Sequence, residues 1–161
     1  MIIIDSSTLI LLSKIGVLDT VINNSKMKIV LTEWIVKELT AKKTNDAVLI
    51  EERIKNEKLK VEKIKSTLTN GLIKDFNIGK GEAEILAFVL ENKLPVITDD
   101  KKAINICRIF NLEFTTAISI VVSLYNKKII NQELFSVYLK KLEKYGRYND
   151  EIINKAREDT K

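Results

Sequence analysis

Residues 95–106 read PVITDDKKAINI, a short apolar run that stops at two adjacent aspartates. Proline is tolerated at the first position of a strand, so Pro95 and the residues after it predict a short buried strand. Asp99 and Asp100 follow that strand, and Ala103–Phe110 has the apolar spacing of a helix. An acidic residue between a strand and a helix is typical either of a helix N-cap or of a site at the carboxyl edge of a sheet.

The N-terminus repeats this arrangement. Met1–Ile4 predicts a second buried strand, and Asp5 follows it directly. A helix is predicted from Ser6 onward, with apolar positions at Leu9, Leu12, Ile15 and Leu18. Because ligands of open α/β sheets bind outside the carboxyl ends of the strands, we expect Asp5 to meet Asp99 and Asp100 at one edge.

Strands and helices alternate along the rest of the chain. Further strands are predicted at Lys28–Leu31, Leu59–Ile64 and Glu113–Thr115. Further helices are predicted from an N-cap at Thr32 through Thr40, and over Asp46–Lys58, Glu82–Glu91, 117–126, 131–144 and 149–159. The alternation predicts an α/β fold: a single-domain α/β/α sandwich over residues 1–161, with a central, mostly parallel sheet of about five short strands and a helical C-terminal end.

The chain of 161 residues contains no histidine, which excludes Ser-His-Asp triads, Cys-His pairs and histidine metal sites. Its single cysteine, Cys107, has no partner for an internal disulfide and is expected to be a small buried hydrophobe. A hydrolase built from this composition depends on carboxylates, hydroxyls, lysines and a hard cation held by oxygen.

The formal net charge is +5, and the basic excess is concentrated in two segments. Residues 42–65 carry eight basic and five acidic groups, and residues 127–161 carry nine and six. Such surfaces suit a polyanion, although a solvated lysine-rich face is the commoner explanation. Because no apolar run is long enough for a signal peptide or a membrane span, we expect a cytoplasmic protein without a membrane partner.

Taken one at a time, the acidic residues that follow strands or open helices have ordinary structural roles as caps and first-turn acids. Taken together at one sheet edge, carboxylates repel each other unless a cation or shared protons offset the charge. An oxygen-rich pocket without histidine selects Mg²⁺ or Mn²⁺, and metal-assisted phosphodiester hydrolysis is the reaction that fits. The acidic residues in question are Asp5, Glu38, Glu82, Glu84, Asp99 and Asp100.

Several segments resemble the motifs of PIN-domain nucleases, in the expected order. IIIDSSTLILLSKIG, residues 2–16, resembles their opening strand and helix, and VLTEWIVKEL, residues 30–39, resembles the helix that carries a second acid. GKGEAEILAFVLENKLPVITDDKKAINIC, residues 79–107, resembles the third and fourth motifs. Residues 118–156 resemble the helical end of a little-characterised prokaryotic PIN-like family, so the resemblance covers nearly the whole chain.

The resemblance implies a catalytic and metal-binding role for particular acidic residues. Asp5, Glu38 and Asp100 match the first, second and fourth acidic positions. The third position is more often aspartate in the family, and here either Glu82 or Glu84 occupies it; the spacing from Thr98 favours Glu82. The implied catalytic set is Asp5, Glu38, Glu82 and Asp100, and the implied metal ligands add Asp99, which is otherwise a supporting group or a cap.

Other residues have supporting roles by the same resemblance. Ser7 and Thr98, with Glu84, are expected to orient the carboxylates through hydrogen bonds. From their position, and not from the resemblance, Lys14, Lys80 and Lys101 are expected to hold the RNA backbone near the mouth of the site, although solvated lysines are the commoner case.

The implied activity is that of an Mg²⁺- or Mn²⁺-dependent ribonuclease. The family includes RNA-processing enzymes and toxins of toxin–antitoxin pairs, whose substrates are often transfer or ribosomal RNA. The expected partners are therefore structured RNA, an antitoxin protein if the chain is a toxin, and a second copy of the chain. Ala117–Tyr125 or Val17–Ile22 would supply the face of that homodimer, unless either segment is core.

Two alternatives stay open at this point. A DNA or flap nuclease uses the same site chemistry, and a PIN-like interaction module would have a weak or silent site. A haloacid-dehalogenase-like phosphatase is disfavoured because it needs Asp-X-Asp after the first strand, where Ser7 stands second. A receiver domain is disfavoured because its paired acids also follow the first strand.

Overall fold

A computed structural model of the chain describes residues 1–42, 44–146 and 148–160, without the side chain of residue 42, and has a five-stranded sheet at its centre. All neighbouring strands pair in parallel, in the order β3-β2-β1-β4-β5. The predicted α/β sheet is therefore confirmed, and it is parallel throughout. The strands are β1 (Ile2–Ile4), β2 (Ile29–Thr32), β3 (Lys60–Glu62), β4 (Val96–Ile97) and β5 (Phe114–Thr115).

Ten helices lie in the described residues and flank the sheet. Three of them at the C-terminal end follow the last strand, as predicted. The helices are α1 (Ser6–Ile15), α2 (Leu18–Asn24), α3 (Glu33–Lys42), α4 (Asn45–Lys55), α5 (Thr69–Phe76), α6 (Lys80–Asn92), α7 (Lys101–Ile109), α8 (Ala117–Asn126), α9 (Gln132–Tyr145) and α10 (Asp150–Glu158).

Strand β1 occupies the middle of the sheet. Its residue Ile3 pairs with Val30 of β2 on one side and with Val96 of β4 on the other. Ile3 and Ile4 have no exposed surface, as expected for a run of β-branched residues in a parallel strand that is covered on both faces. This burial fixes the position of the residue that follows, Asp5, at the carboxyl edge of the sheet.

The predicted continuous helix from Ser6 through Leu18 is wrong, because the structure has two helices that meet at 108°. Gly16 ends α1 with a φ of +81°, and its N–H donates to the carbonyls of Leu12 and Ser13. Glycine adopts this left-handed conformation without the steric cost that a Cβ brings. No single helix in the described residues is long and apolar enough to span a membrane; the bent pair α1 and α2 meets that test only by length and composition.

Helix α5 was not predicted from the sequence. Its buried residue Leu72 and the partly buried Ile73 and Phe76 contact the core, but the segment also contains Gly71 and polar residues that weaken the periodic signal. Tertiary packing stabilises this helix more than local preference does. Other element bounds differ from the predicted ones by a few residues, as in β2, which begins and ends one residue later than Lys28–Leu31.

Alanine substitution of Gly16 and of Gly71 tests the left-handed helix cap at Gly16 against a glycine inside a helix. Gly16→Ala forces a left-handed alanine, so we expect the free energy of unfolding to fall by about 1 kcal/mol. Gly71→Ala adds a Cβ with no atom within 4 Å inside a helix, so we expect a rise of about 0.5–1 kcal/mol. Urea denaturation measures both, and equal effects of the two changes would contradict the cap at Gly16.

Cys107 is fully buried in α7, and burial raises the pKa of its thiol to about 11. We therefore expect a disulfide reagent at pH 8 to modify the denatured chain at once and the folded chain only as fast as it opens. Rapid modification of the folded protein would show that α7 is not packed as described.

The same buried thiol makes the stability of the protein depend on pH. Because the folded chain holds this proton more tightly than the unfolded chain, the free energy of unfolding falls as pH rises from about 8.5 toward 11.

Candidate active site

A pocket of about 250 Å³ lies at the carboxyl ends of the central strands. It is lined by residues that come just after β1 and β4, by one side of α3 and by the N-terminal half of α6. The structure brings four of the predicted acidic residues into this lining together with Ser7, Thr98 and Lys80. The four are Asp5, Glu38, Glu82 and Asp100.

Asp5 is positioned by β1 and is almost completely buried. Its Oδ1 accepts hydrogen bonds from the Ser7 hydroxyl at 2.8 Å and from the Thr8 N–H at 2.7 Å. Its Oδ2 accepts from the Thr8 hydroxyl at 3.1 Å. Asp5 is therefore the N-cap of α1 and part of the pocket at once, and the Ser7 hydroxyl helps to orient its carboxylate.

Glu38 reaches the pocket from α3. This helix begins after β2 because the Thr32 hydroxyl accepts a hydrogen bond from the Ile35 N–H at 3.2 Å, which confirms the predicted cap. The Ser6 hydroxyl donates to Glu38 Oε2 at 2.8 Å and so ties α3 to the start of α1. The carboxylate is half-buried at the pocket wall.

Glu82 lies in the first turn of α6, where its Oε2 accepts a hydrogen bond from the Gly79 N–H at 3.1 Å. Glu84 is two residues further, about 200° around the helix axis, and is not part of the lining. Of the two candidates for the third acidic position, Glu82 therefore lies in the pocket lining and Glu84 does not, and the role of Glu82 stays a prediction.

Asp100 caps α7, since its Oδ1 accepts a hydrogen bond from the Ala103 N–H at 2.9 Å. The Asp100 N–H in turn donates to the hydroxyl of the buried Thr98 at 3.2 Å, so Thr98 holds the backbone rather than the carboxylate. Lys101 is exposed at the start of α7 and lies outside the lining.

Asp99 lies outside the pocket lining and points toward α8. Its carboxylate accepts hydrogen bonds from the Tyr148 hydroxyl and, at 3.2 Å, from the Ala117 N–H. Burial raises the pKa of this carboxyl, and the bond from Tyr148 opposes the shift. Its N–H donates at 2.9 Å to the Thr8 hydroxyl, which also binds Asp5. In this structure Asp99 supports the site and anchors α8; its metal-binding role stays a prediction.

Among the described residues, no ion pair balances the charge of the pocket. Within the part of the chain that the structure describes, the salt bridges join Arg53 to Asp19 and Glu52, and Lys60 to Glu62. None of them includes a pocket carboxylate. The N-termini of α1, α6 and α7 face the pocket, and their dipoles partly offset the negative charge.

The donor atoms of the pocket fit a hard divalent cation, because the ligands available are carboxylate and hydroxyl oxygens. Among the described residues, no three acidic, cysteine or histidine side chains come close enough together to hold an ion by themselves. Mg²⁺ commonly keeps several waters and takes only one or two protein carboxylates, with substrate phosphate completing its shell. The pocket fits that kind of site.

Two further residues bear on the site. Lys14 is exposed beside a neighbouring pocket that shares Ser7 with this one, so it lies near the site but outside its lining. Trp34 lines the pocket and was missed by the sequence reasoning, although it precedes Glu38 by four residues and therefore shares its helix face.

The family model DUF3368, a PIN domain family, matches residues 1–161. The chain therefore belongs to this family of PIN domains. PIN domains are generally nucleases and typically use divalent metals. No curated protein gives a significant match to the chain.

Asp100 is both a helix cap and one of four carboxylates in the pocket lining, and this double role can be tested in metal-free buffer. Asparagine caps helices as well as aspartate does but carries no charge. We expect Asp100→Asn to leave the free energy of unfolding unchanged or raise it, because repulsion in the pocket falls. Asp100→Ala removes the cap and should lower it by about 1 kcal/mol. Urea denaturation in EDTA measures both, and an equal loss for the two variants would contradict the charge crowding.

Proposed function

We propose that the protein is a divalent-metal-dependent ribonuclease that hydrolyses RNA phosphodiester bonds in this pocket. The observation that carries the proposal is the convergence of four carboxylates, from four separate stretches of sequence, on one pocket of a PIN domain. Asp5 and Asp100 follow strands, Glu38 lies on one face of α3, and Glu82 lies at the start of α6. A stabilising role alone requires helix caps, but it does not require four carboxylates to line one pocket.

Asp5 and Asp100 would hold the main Mg²⁺ or Mn²⁺ ion, and Glu38 and Glu82 would complete the site directly or through water. The ion, when bound, lowers the pKa of a coordinated water and offsets charge on the phosphate oxygens. No histidine base is then needed, which agrees with the histidine count of zero.

The residues around the carboxylates hold and orient them. Ser7 and Thr8 donate to both oxygens of Asp5, and Ser6 donates to one oxygen of Glu38, so both side chains are oriented by hydrogen bonds. Lys80 is the basic residue of the lining and would contact the phosphate. The first-turn N–H groups of α6, which begins at Lys80, face the same space and favour an anion there.

Structured RNA is the proposed substrate, on the strength of the family resemblance and the net charge of +5. Transfer and ribosomal RNA are the first candidates. The same resemblance supports a cytoplasmic homodimer and, if the enzyme is a toxin, an antitoxin that covers the acidic pocket with basic groups.

The test is cleavage of an end-labelled structured RNA with Mg²⁺ or Mn²⁺, beside an EDTA sample and single-stranded DNA of the same sequence. We expect metal-dependent cutting of the RNA. Asp5→Asn should slow it by about 100-fold or more, because several kcal/mol of stabilisation by the ion depend on this ligand. Asp75→Asn, an exposed change in α5, is the matched control and should not alter the rate.

Each other outcome has a distinct meaning. Cutting of DNA in preference to RNA would replace the proposal with a DNA nuclease. Cutting that persists at the same rate in Asp5→Asn would place the activity elsewhere. Absence of cutting, with RNA still bound, would favour an interaction module. The structural argument for such a module is that no three acidic side chains of the described residues lie close enough together to hold an ion by themselves.

A further inference from the structure

Trp34 is the only tryptophan of the chain, and the proposed hydrolysis does not use it. It lies on α3, one helical turn before Glu38, and lines the same pocket as the four carboxylates. The apolar side chains beside it in the lining, Ile35, Ile85 and Leu86, are all at most 4% exposed and belong to the core. Trp34 is only partly buried, so part of its indole faces the open space of the pocket.

The position of the indole is held by the start of α6. The Nζ atom of Lys80 lies 5.3 Å from the ring centroid, a cation–π contact. Gly81 packs against the pyrrole side of the ring, where an added Cβ would lie 2.4 Å from Cδ1 and from Nε1. Only glycine leaves room for the indole at this distance, so a site for the ring is built into the first turn of α6.

An aromatic ring beside a lysine and a phosphate site matches what single-stranded RNA requires. Unpaired bases stack on aromatic side chains regardless of sequence, while a basic group tracks the backbone. A base on the indole would take the place of Lys80, whose flexible side chain would then reach the adjacent phosphate.

We propose that Trp34 stacks on an unpaired nucleobase next to the bond that is cut, and that Lys80 moves from the indole to the neighbouring phosphate. This inference rests on the proposed nuclease function and adds the side chains that position the nucleotide beside the cut bond. Any base can stack on the indole, so Trp34 would contribute position rather than base preference.

The first experiment follows the fluorescence of Trp34. All tryptophan emission comes from this residue, because the chain has no other tryptophan. The probe is a short unpaired oligoribonucleotide, compared with the same oligomer lacking one base at the cut site. Both are titrated with Mg²⁺ into the Asp5→Asn protein, which should not cut them, and binding is followed separately by anisotropy of a label on the RNA. We expect quenching by the intact oligomer and little by the abasic one at equal saturation.

Substitutions give the second experiment, with affinity measured by anisotropy. Trp34→Leu should weaken RNA binding about tenfold, and Trp34→Phe should retain most of it, because a ring is kept. Gly81→Ala should weaken binding as well, although it removes no group, since its Cβ displaces the indole. Phe110→Leu, an exposed aromatic outside the pocket lining, is the matched control and should bind like the parent protein.

Equal affinity of Trp34→Leu and the parent protein, or equal quenching by the abasic oligomer, would overturn the stacking role. If RNA is cut in the metal-dependent way while Trp34→Leu behaves as the parent, the nuclease stands and only this inference fails. If the wild-type protein neither binds nor cuts RNA with Mg²⁺, the nuclease and the inference fail together.

Discussion

The carboxyl edge of the parallel sheet is the constraint on which the site depends. In a parallel sheet every strand ends at the same edge, and each helix that follows begins there, with N–H groups in need of an acceptor. Asp5 and Asp100 meet that need for α1 and α7, and Glu82 does so at the start of α6. The hydrogen bonds that shape the helices therefore also fix the carboxylates in one pocket, so capping and ion binding are compatible roles of the same side chains.

Much of this arrangement follows from the sequence. Runs of isoleucine and valine that end in an acid, as in β1 and β4, predict both the strand and the edge where the acid lies. The sequence does not tell which of two adjacent acids faces the pocket. Asp99 turns away because Ala117 and Tyr148, which are 18 and 49 residues later in the chain, supply its hydrogen bonds. Such partners are set by tertiary packing and leave no local pattern.

The place of Trp34 in the pocket, the break between α1 and α2, and helix α5 were also not predicted from the sequence. The indole owes its place to Gly81, which comes 47 positions later, so its role near the site is invisible until α3 and α6 are packed together. Gly16 gives a local stop signal, but the apolar spacing from Leu9 to Leu18 continues past it and hides the turn. In α5 the local sequence does not favour a helix, and the burial of Leu72 stabilises it instead.

We propose that these capping carboxylates together form a site for one divalent ion. Titration of the protein with Mn²⁺, with the free ion followed by electron paramagnetic resonance, tests it without any substrate. We expect saturable Mn²⁺ binding that Mg²⁺ displaces. Asp5→Asn should weaken it about tenfold or more, and the exposed substitution Asp75→Asn should leave it unchanged. An absence of saturable binding, or the same affinity in Asp5→Asn, would contradict it.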